Sequence, residues 1–413
     1  EFARNMVEAL VSGDWQHADI VSFWMFDSDH WCECDQCKAQ GSITDRFLRL
    51  VDVVFDEIKI AQEEGRLQRR IYLSPLAYMK TVFPPTRPLP EGFNYDDCLL
   101  TFFPIGRCYN HTFSDSSCTE VNKWLCESFY KWAKDSDRYY EGDVFIGEYF
   151  NVSSIMSLPV VYTKIMSADI PFYRRNGAKH LNYMHTPIEN WGTWTLNQYL
   201  LGRLLWDIDV DAEKLIDDYY ARYYPTTTET TSKFYQHLET ALANIKAFKH
   251  FVRLEDYSVF QVFVRWSERL TKKGKKIFWI DHLKYRECHP PKNDGIDVVE
   301  TMEELKEARK WLNKSMIKCE NKVEAARLKE DDRRFVYCEK TFGFLHHLLR
   351  TGMFYHADKD EFARAEFAKA EKYVPELKKI DDLMNRRESD DLDGFKATQA
   401  LKVYEFFKEK YGD

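Results

Sequence analysis

Short apolar runs rich in β-branched and aromatic residues alternate, along the first half of the chain, with longer stretches whose apolar residues recur every three or four positions. Asp19 to Phe26 is such a run, ended by the polar Asp27, Ser28 and Asp29, and it predicts a buried strand followed by a polar loop. Next, Ser42 can cap a helix with Asp45 three residues on, and Ile43, Phe47, Leu50, Val51, Val54, Phe55 and Ile58 keep helical spacing until Gly65. Arg70 to Pro75 predicts a second strand, followed by a loop holding Pro84, Pro85, Pro88 and Pro90. Asp97 to Phe103 is a third, and its polar loop from Gly106 to Ser117 leads into a helix with Val121, Trp124, Leu125, Phe129 and Trp132 on one face. Asp143 to Tyr149 is a fourth, with a helix over about 156–175 that Gly177 ends. Lys179 to Met184 is a fifth, then the loop His185 to Gly192 and a helix over about 196–206.

Five strand-helix units in a row predict parallel strands with covering helices, because a parallel return needs a crossover and a helix is the usual one. The expected fold is a (β/α)₈ barrel, which needs eight such units, so its first strands are expected upstream of Glu1; an open doubly wound sheet is the alternative. From about Glu213 no comparable strand follows. Over 297–413 the chain is charged and helical, with Met302, Leu305, Leu312, Met316, Cys319 and Val323 on one stripe and Phe335, Phe342, Leu345 and Leu349 on the next. The expected division is a barrel portion over 1–250, a connecting region over 251–296 and a helical C-terminal domain over 297–413.

Composition narrows the functions. The 413 residues carry a formal charge of -8, with basic and acidic groups interspersed, so no basic field marks a nucleic-acid partner. No window approaches the ~20 apolar residues of a membrane span. The chain opens at Glu1 without an initiator Met, so an export signal has room upstream. Aromatic residues reach 15%, which suits a cleft that stacks sugar rings and equally suits an aromatic-rich core.

In a parallel barrel the loops after the strands form the active face. Asp27 and Asp29 follow the first run, Glu148 ends the fourth and Glu189 follows the fifth. Glycoside hydrolysis needs one carboxyl to protonate the leaving oxygen and a second group to stabilise or attack the oxocarbenium ion, and strand ends can hold both. Asp27 and Asp29 have a turn-capping alternative. Glu148 interrupts an apolar run, where a carboxylate is costly without a partner or a role. The expected catalytic acids are Glu148, Asp29 and Asp27; the expected substrate contacts are Trp24, His30, Tyr78, Tyr109, Tyr149, Asn151, Tyr183, His185, Glu189 and Trp191. No cofactor is expected, nor a metal in the catalytic site.

Cys32, Cys34 and Cys37 place three thiols within six residues, a spacing open to a zinc or redox site with His30 or a distant cysteine as fourth ligand, to a disulfide, or to a stabilised loop beside the cleft. A structural role is the expectation. Phosphate-binding glycine loops, the His-Glu-x-x-His zinc helix and the Gly-x-Ser-x-Gly elbow are absent, which removes the usual support for phosphoryl transfer and serine-hydrolase chemistry.

Several motifs together resemble a known group. The stretch Trp31 to Cys37 after an Asp-bearing strand, Gly147 to Asn151, Asn190-Trp191-Gly192, Leu196 to Leu200, and Leu205-Trp206-Asp207 are similar to those of gut Bacteroides proteins that carry the domain of unknown function DUF4838. That group includes glycoside hydrolase family 163, endo-β-N-acetylglucosaminidases acting on complex N-glycans. The resemblance, over about Asp19 to Pro225, implies a (β/α)₈ barrel, a secreted or cell-envelope location and a glycoprotein substrate cut at its chitobiose core. Related barrel hexosaminidases let the substrate's acetamido group attack while one acid orients it and another donates the proton, roles that Asp27, Asp29 and Glu148 would share here.

Overall fold

All five apolar runs form strands: β1 (Ile20–Phe23), β2 (Tyr72–Ala77), β3 (Leu100–Phe102), β4 (Val144–Glu148) and β5 (Ala178–Tyr183). They pair in parallel and in sequence order, β1-β2-β3-β4-β5. The computed structural model describes residues 1–24, 30–109, 111–118, 122–150, 158–183, 195–242, 298–356, 358–377, 379 and 397–412. The expected connecting region over 251–296 lies outside them, as do Asp27, Asp29, Asn151, His185, Glu189 and Trp191.

The chain divides into two compact units, the first built from Glu1–Ile105, Lys123–Tyr149 and Pro171–Met184, the second from Gly106–Asn122, Phe150–Ile170 and His185–Asp413. In the first, α1 (Phe2–Val11) precedes β1, and α2 (Asp35–Ala39) and α3 (Ile43–Glu63) follow it. The start of α3 is the capping box that its spacing predicts. Ser42 Oγ accepts from the Asp45 amide at 3.1 Å, and Asp45 Oδ2 accepts from the Ser42 amide at 2.7 Å. Asp45 also accepts from the amide and hydroxyl of Thr86, at 2.8 and 2.6 Å, which ties the proline-rich loop to the same helix start.

Register separates the two faces of the sheet. Phe23 pairs with Pro75, Ala77 with Phe102, and Phe102 with Ile146, so these residues share one face. It is the helix-covered face: Phe23 packs on Phe47 of α3, and Phe102 packs on Phe129 of α4 (Asn122–Ala133). On the opposite face the edge strands β1 and β5 carry exposed residues, Ile20 at 60% with Ser22, His180 and Asn182, while Ser74 of β2 and Thr101 of β3 are buried. The first run is expected as a buried strand; in the structure β1 alternates exposed and buried residues instead, its buried ones facing the helices. A doubly wound sheet reverses its strand order and covers both faces, and neither feature occurs among the described strands.

Helix α5 (Thr163–Arg175) begins about seven residues later than its apolar spacing predicts. The Asn197 side chain explains the delay, donating to the Val160 carbonyl at 2.8 Å and accepting from the Tyr162 amide at 2.9 Å, so the backbone after Pro159 bonds to Asn197 rather than to a helix. Gly177, at φ +105, ends the turn after α5, and a Cβ there would strike the Ala133 carbonyl.

The second unit contains α6 (Thr195–Trp206), α7 (Ala212–Tyr223), α8 (Thr228–Ala241), α9 (Val298–Lys318), α10 (Lys322–His356), α11 (Asp360–Glu371) and α12 (Ala397–Tyr411). No strand follows β5 among the described residues. Buried polar links join α8 to the charged helices: Glu324 accepts from the Thr226 amide at 3.0 Å and the Thr227 hydroxyl at 2.5 Å, and Asp331 accepts from Tyr224 and Tyr235. The stripe expected through Met316 and Val323 does not persist. Leu305 and Leu312 are buried, but in the last turn of α9 the buried position is Ser315 and the helix ends at Lys318, leaving Met316 and, beyond that end, Val323 facing solvent. No helix of the described residues is long and apolar enough to cross a membrane.

Candidate active site

Strand β4 brings the strongest sequence candidate to its C-terminal end. Glu148 stands two residues after Ile146 and so points the same way, into the layer between sheet and helices. There it is wholly buried. The Tyr173 hydroxyl, from the last turn of α5, donates to Oε1 at 2.5 Å, and the Tyr149 amide donates to Oε2 at 3.2 Å. Tyr173 is fixed in turn by ring contact with Phe129, centroids 5.8 Å apart. Such charge-assisted bonds are what a carboxylate deep in a core requires.

Gly147 points to the opposite face. A Cβ at this position would lie no farther than 2.5 Å from three ring atoms of Phe103, so glycine is what lets that ring lie on the strand. Phe103, the first residue after β3, packs on Tyr149, the first after β4, with centroids 5.5 Å apart. Trp24, the first after β1, meets Tyr78, the first after β2, edge-on at 5.3 Å. Four strand ends thus carry four aromatic residues in two touching pairs, and Trp24 and Tyr78 are half-buried. The turn after β2 is strained at Met79, a non-glycine at φ +53, and Thr81 holds it by accepting from the Tyr78 amide and donating to the Leu76 carbonyl.

His30 is exposed, at the start of the cysteine loop. Tyr183 ends β5, paired with Glu148. Tyr109 belongs to the second unit, where it is buried with its ring 4.4 Å from the Arg107 guanidinium. Arg107 and Asp169 form a fully buried ion pair at 2.5 Å, and Asp169 also accepts from the Phe113 amide at 2.8 Å. The pattern of the chain gave no sign of this pair, because Arg107 sits in a polar loop and Asp169 on a helix that reads as surface. Nor did it mark Tyr173 or Phe103, whose parts depend on contacts between distant segments.

Among the described residues, two groups of side chains have metal-ligand chemistry. Cys32, Cys34 and Cys37 bring their sulfur atoms within 4.8 Å of one another, and Cys108, His111 and Cys118 do the same with two sulfurs and a ring nitrogen. The Cys37 amide and the thiols of Cys32 and Cys37 bring the Cys34 thiol down to about 7, while Cys37 is pushed up by the thiols of Cys32 and Cys34. In the second group Cys108 Sγ is 3.2 Å from His111 Nδ1, and the Asn122 side chain braces the loop through the backbone of Cys108 and Thr112. This second group escaped the sequence reading because its members are spread over eleven residues.

The domain of unknown function DUF4838 matches residues 5–236. No curated protein matches the chain. Among solved structures, a GH138 enzyme targeting pectin rhamnogalacturonan II is similar at 10% identity and a TM-score of 0.42, over 98% of this chain and 78% of that one. The structure of CpGH84D is similar at 11% identity and a TM-score of 0.29, over 94% of this chain, which spans 62% of that protein. Likeness this slight carries nothing about mechanism.

Proposed function

The chain belongs to the DUF4838 family, and from that premise we propose that it is a glycoside hydrolase, a retaining endo-acting enzyme on N-acetylglucosamine-containing glycans, working outside the cell or at its envelope. One observation carries the proposal: a buried carboxylate, Glu148, ends a parallel strand whose neighbours carry aromatic residues at the same end. Aromatic faces beside acids suit a sugar, with CH groups on one side and hydroxyls on the other. Sequential strand order with helices on a single face further supports a (β/α)₈ barrel wall, in which strand ends meet substrate.

In this reading Asp27 and Asp29 orient the substrate's acetamido group, and Glu148 is the proton donor or its electrostatic partner. The bond from Tyr173 favours the second role, since Glu148 lies behind the strand and acts on the site through its charge. The test is mass spectrometry of glycans released from a complex-type N-glycoprotein by the full-length chain and by its Glu148→Gln, Asp29→Asn and Tyr173→Phe variants. Released chains ending in a single N-acetylglucosamine, lost in Asp29→Asn, with a displaced pH profile in Tyr173→Phe, are the expected result. Binding without release by the wild-type chain would replace the enzyme with a glycan-binding protein. Unchanged turnover in Glu148→Gln would reduce that carboxylate to packing.

A further inference from the structure

The loop between β1 and α3 holds chemistry that glycan cleavage does not use. Cys32, Cys34 and Cys37 are unbonded thiols, with the Cys32 and Cys34 sulfur atoms 3.5 Å apart. Cys32 and Cys34 are exposed and Cys37 half-buried, so the cluster opens to solvent on one side. The loop is held in this shape from outside the cluster: Arg46 of α3 donates to the Cys32 carbonyl at 2.7 Å, its guanidinium lies 5.9 Å from the Trp31 ring, and that ring packs on Phe47. A short helix, α2, places Cys37 one turn after Cys34.

We propose that these three thiols form a binding site for a single thiophilic divalent cation of the zinc class, with three thiolate ligands and a fourth position open to water or an outside ligand. Three sulfurs within reach of one another exceed what a disulfide consumes, since any pairing leaves the third thiol unused. A tetrahedral ion uses all three. Binding releases the thiol protons and leaves one net negative charge on the metal and its three thiolates, and no electron is transferred. The ion closes residues 32–37 around the first turn of α2, a segment that Arg46 already anchors to α3 through the Cys32 carbonyl. The Cys108, His111 and Cys118 group is a poorer candidate. It offers only two sulfurs, and the Asn122 side chain already holds its loop through the backbone of Cys108 and Thr112.

The full-length chain, reduced and stripped of metal under inert gas, is loaded with zinc and examined by X-ray absorption, and separately titrated with cobalt(II). The expected zinc spectrum has about three sulfur neighbours at ~2.3 Å and one lighter atom. The expected cobalt titration gives a thiolate charge-transfer band that zinc abolishes, that disappears in Cys34→Ser/Cys37→Ser and that persists in Cys108→Ser/Cys118→Ser. A spectrum with two sulfurs and a nitrogen, or a band that survives Cys34→Ser/Cys37→Ser, would overturn the proposal. So would a reduced wild-type chain that takes up neither metal. The absorption spectrum needs no substitution, so a misfolded variant cannot obscure the answer.

Discussion

Adding one methyl group at Gly147 should unsettle the strand that carries Glu148. The Cβ of Gly147→Ala would lie no farther than 2.5 Å from Cε1, Cδ1 and Cζ of Phe103, against a favourable carbon separation of about 3.5–4.0 Å, so the ring or the strand must move by about 1 Å or more. Phe103 is buried against Tyr149 and has no open space to retreat into, so the cost should be about 1–3 kcal/mol, the range for overpacked cores. Phe103→Ala alone should cost about 3–5 kcal/mol through the cavity it leaves. In the double variant the new methyl enters that cavity, so the second substitution should cost almost nothing beyond the first, a coupling of about 1–3 kcal/mol. Urea unfolding of the full chain, followed by tryptophan fluorescence, measures all four corners of the cycle. A Gly147→Ala protein within about 0.5 kcal/mol of wild type, or strictly additive costs, would refute the close approach of ring and strand.

Asp169→Ala should cost about 3–5 kcal/mol, because it leaves the Arg107 guanidinium buried without its carboxylate; thermal unfolding checks this, and a loss under about 1 kcal/mol would contradict it. Burial alone would raise the Glu366 carboxyl, but bonds from Lys369 at 2.9 Å and His347 at 2.7 Å, with the charge of Arg350, bring it down to about 2. A carboxyl lowered on folding stabilises the folded state above its unfolded value, near 4.5, and loses that contribution as pH falls through about 2. The stability difference between wild type and Glu366→Gln should therefore shrink between pH 4.5 and 2; urea midpoints across that range measure it, and a constant difference would exclude the linkage.

Much of the first unit could be read from the chain, because each signal was local. The short apolar runs mark all five strands, and Ser42 with Asp45 marks the start of α3. Period alone also places Glu148 on the side of Ile146, yet only pairing with β3 and contact with Phe129 reveal that this side faces the helices. The start of α5 was misjudged because Asn197, almost forty residues on, takes the backbone groups that an earlier turn would have used. Arg107 with Asp169 and Cys108 with His111 and Cys118 arise from loop folding, which leaves no periodic trace. Asp27 and Asp29, the acids that sequence spacing favours beside Glu148, stand outside the described residues.

The segmented make-up of the two units bears on how the protein is synthesised and handled. Residues 106–122 and 150–170 leave the sheet-bearing unit and return to it, so the chain passes from one unit to the other five times before Asp413. When β5 emerges from the ribosome, Tyr162 and Thr163 still lack Asn197 and Glu239, the side chains that bind them in the finished fold. The nascent sheet must therefore wait with the second excursion unfinished until the later helices are made. For the same reason a gene cut after residue 184 would leave Tyr162 and Thr163 without the Asn197 and Glu239 side chains that bind them, and the boundary between the units at 170 falls inside α5, so trimming an end does not separate them.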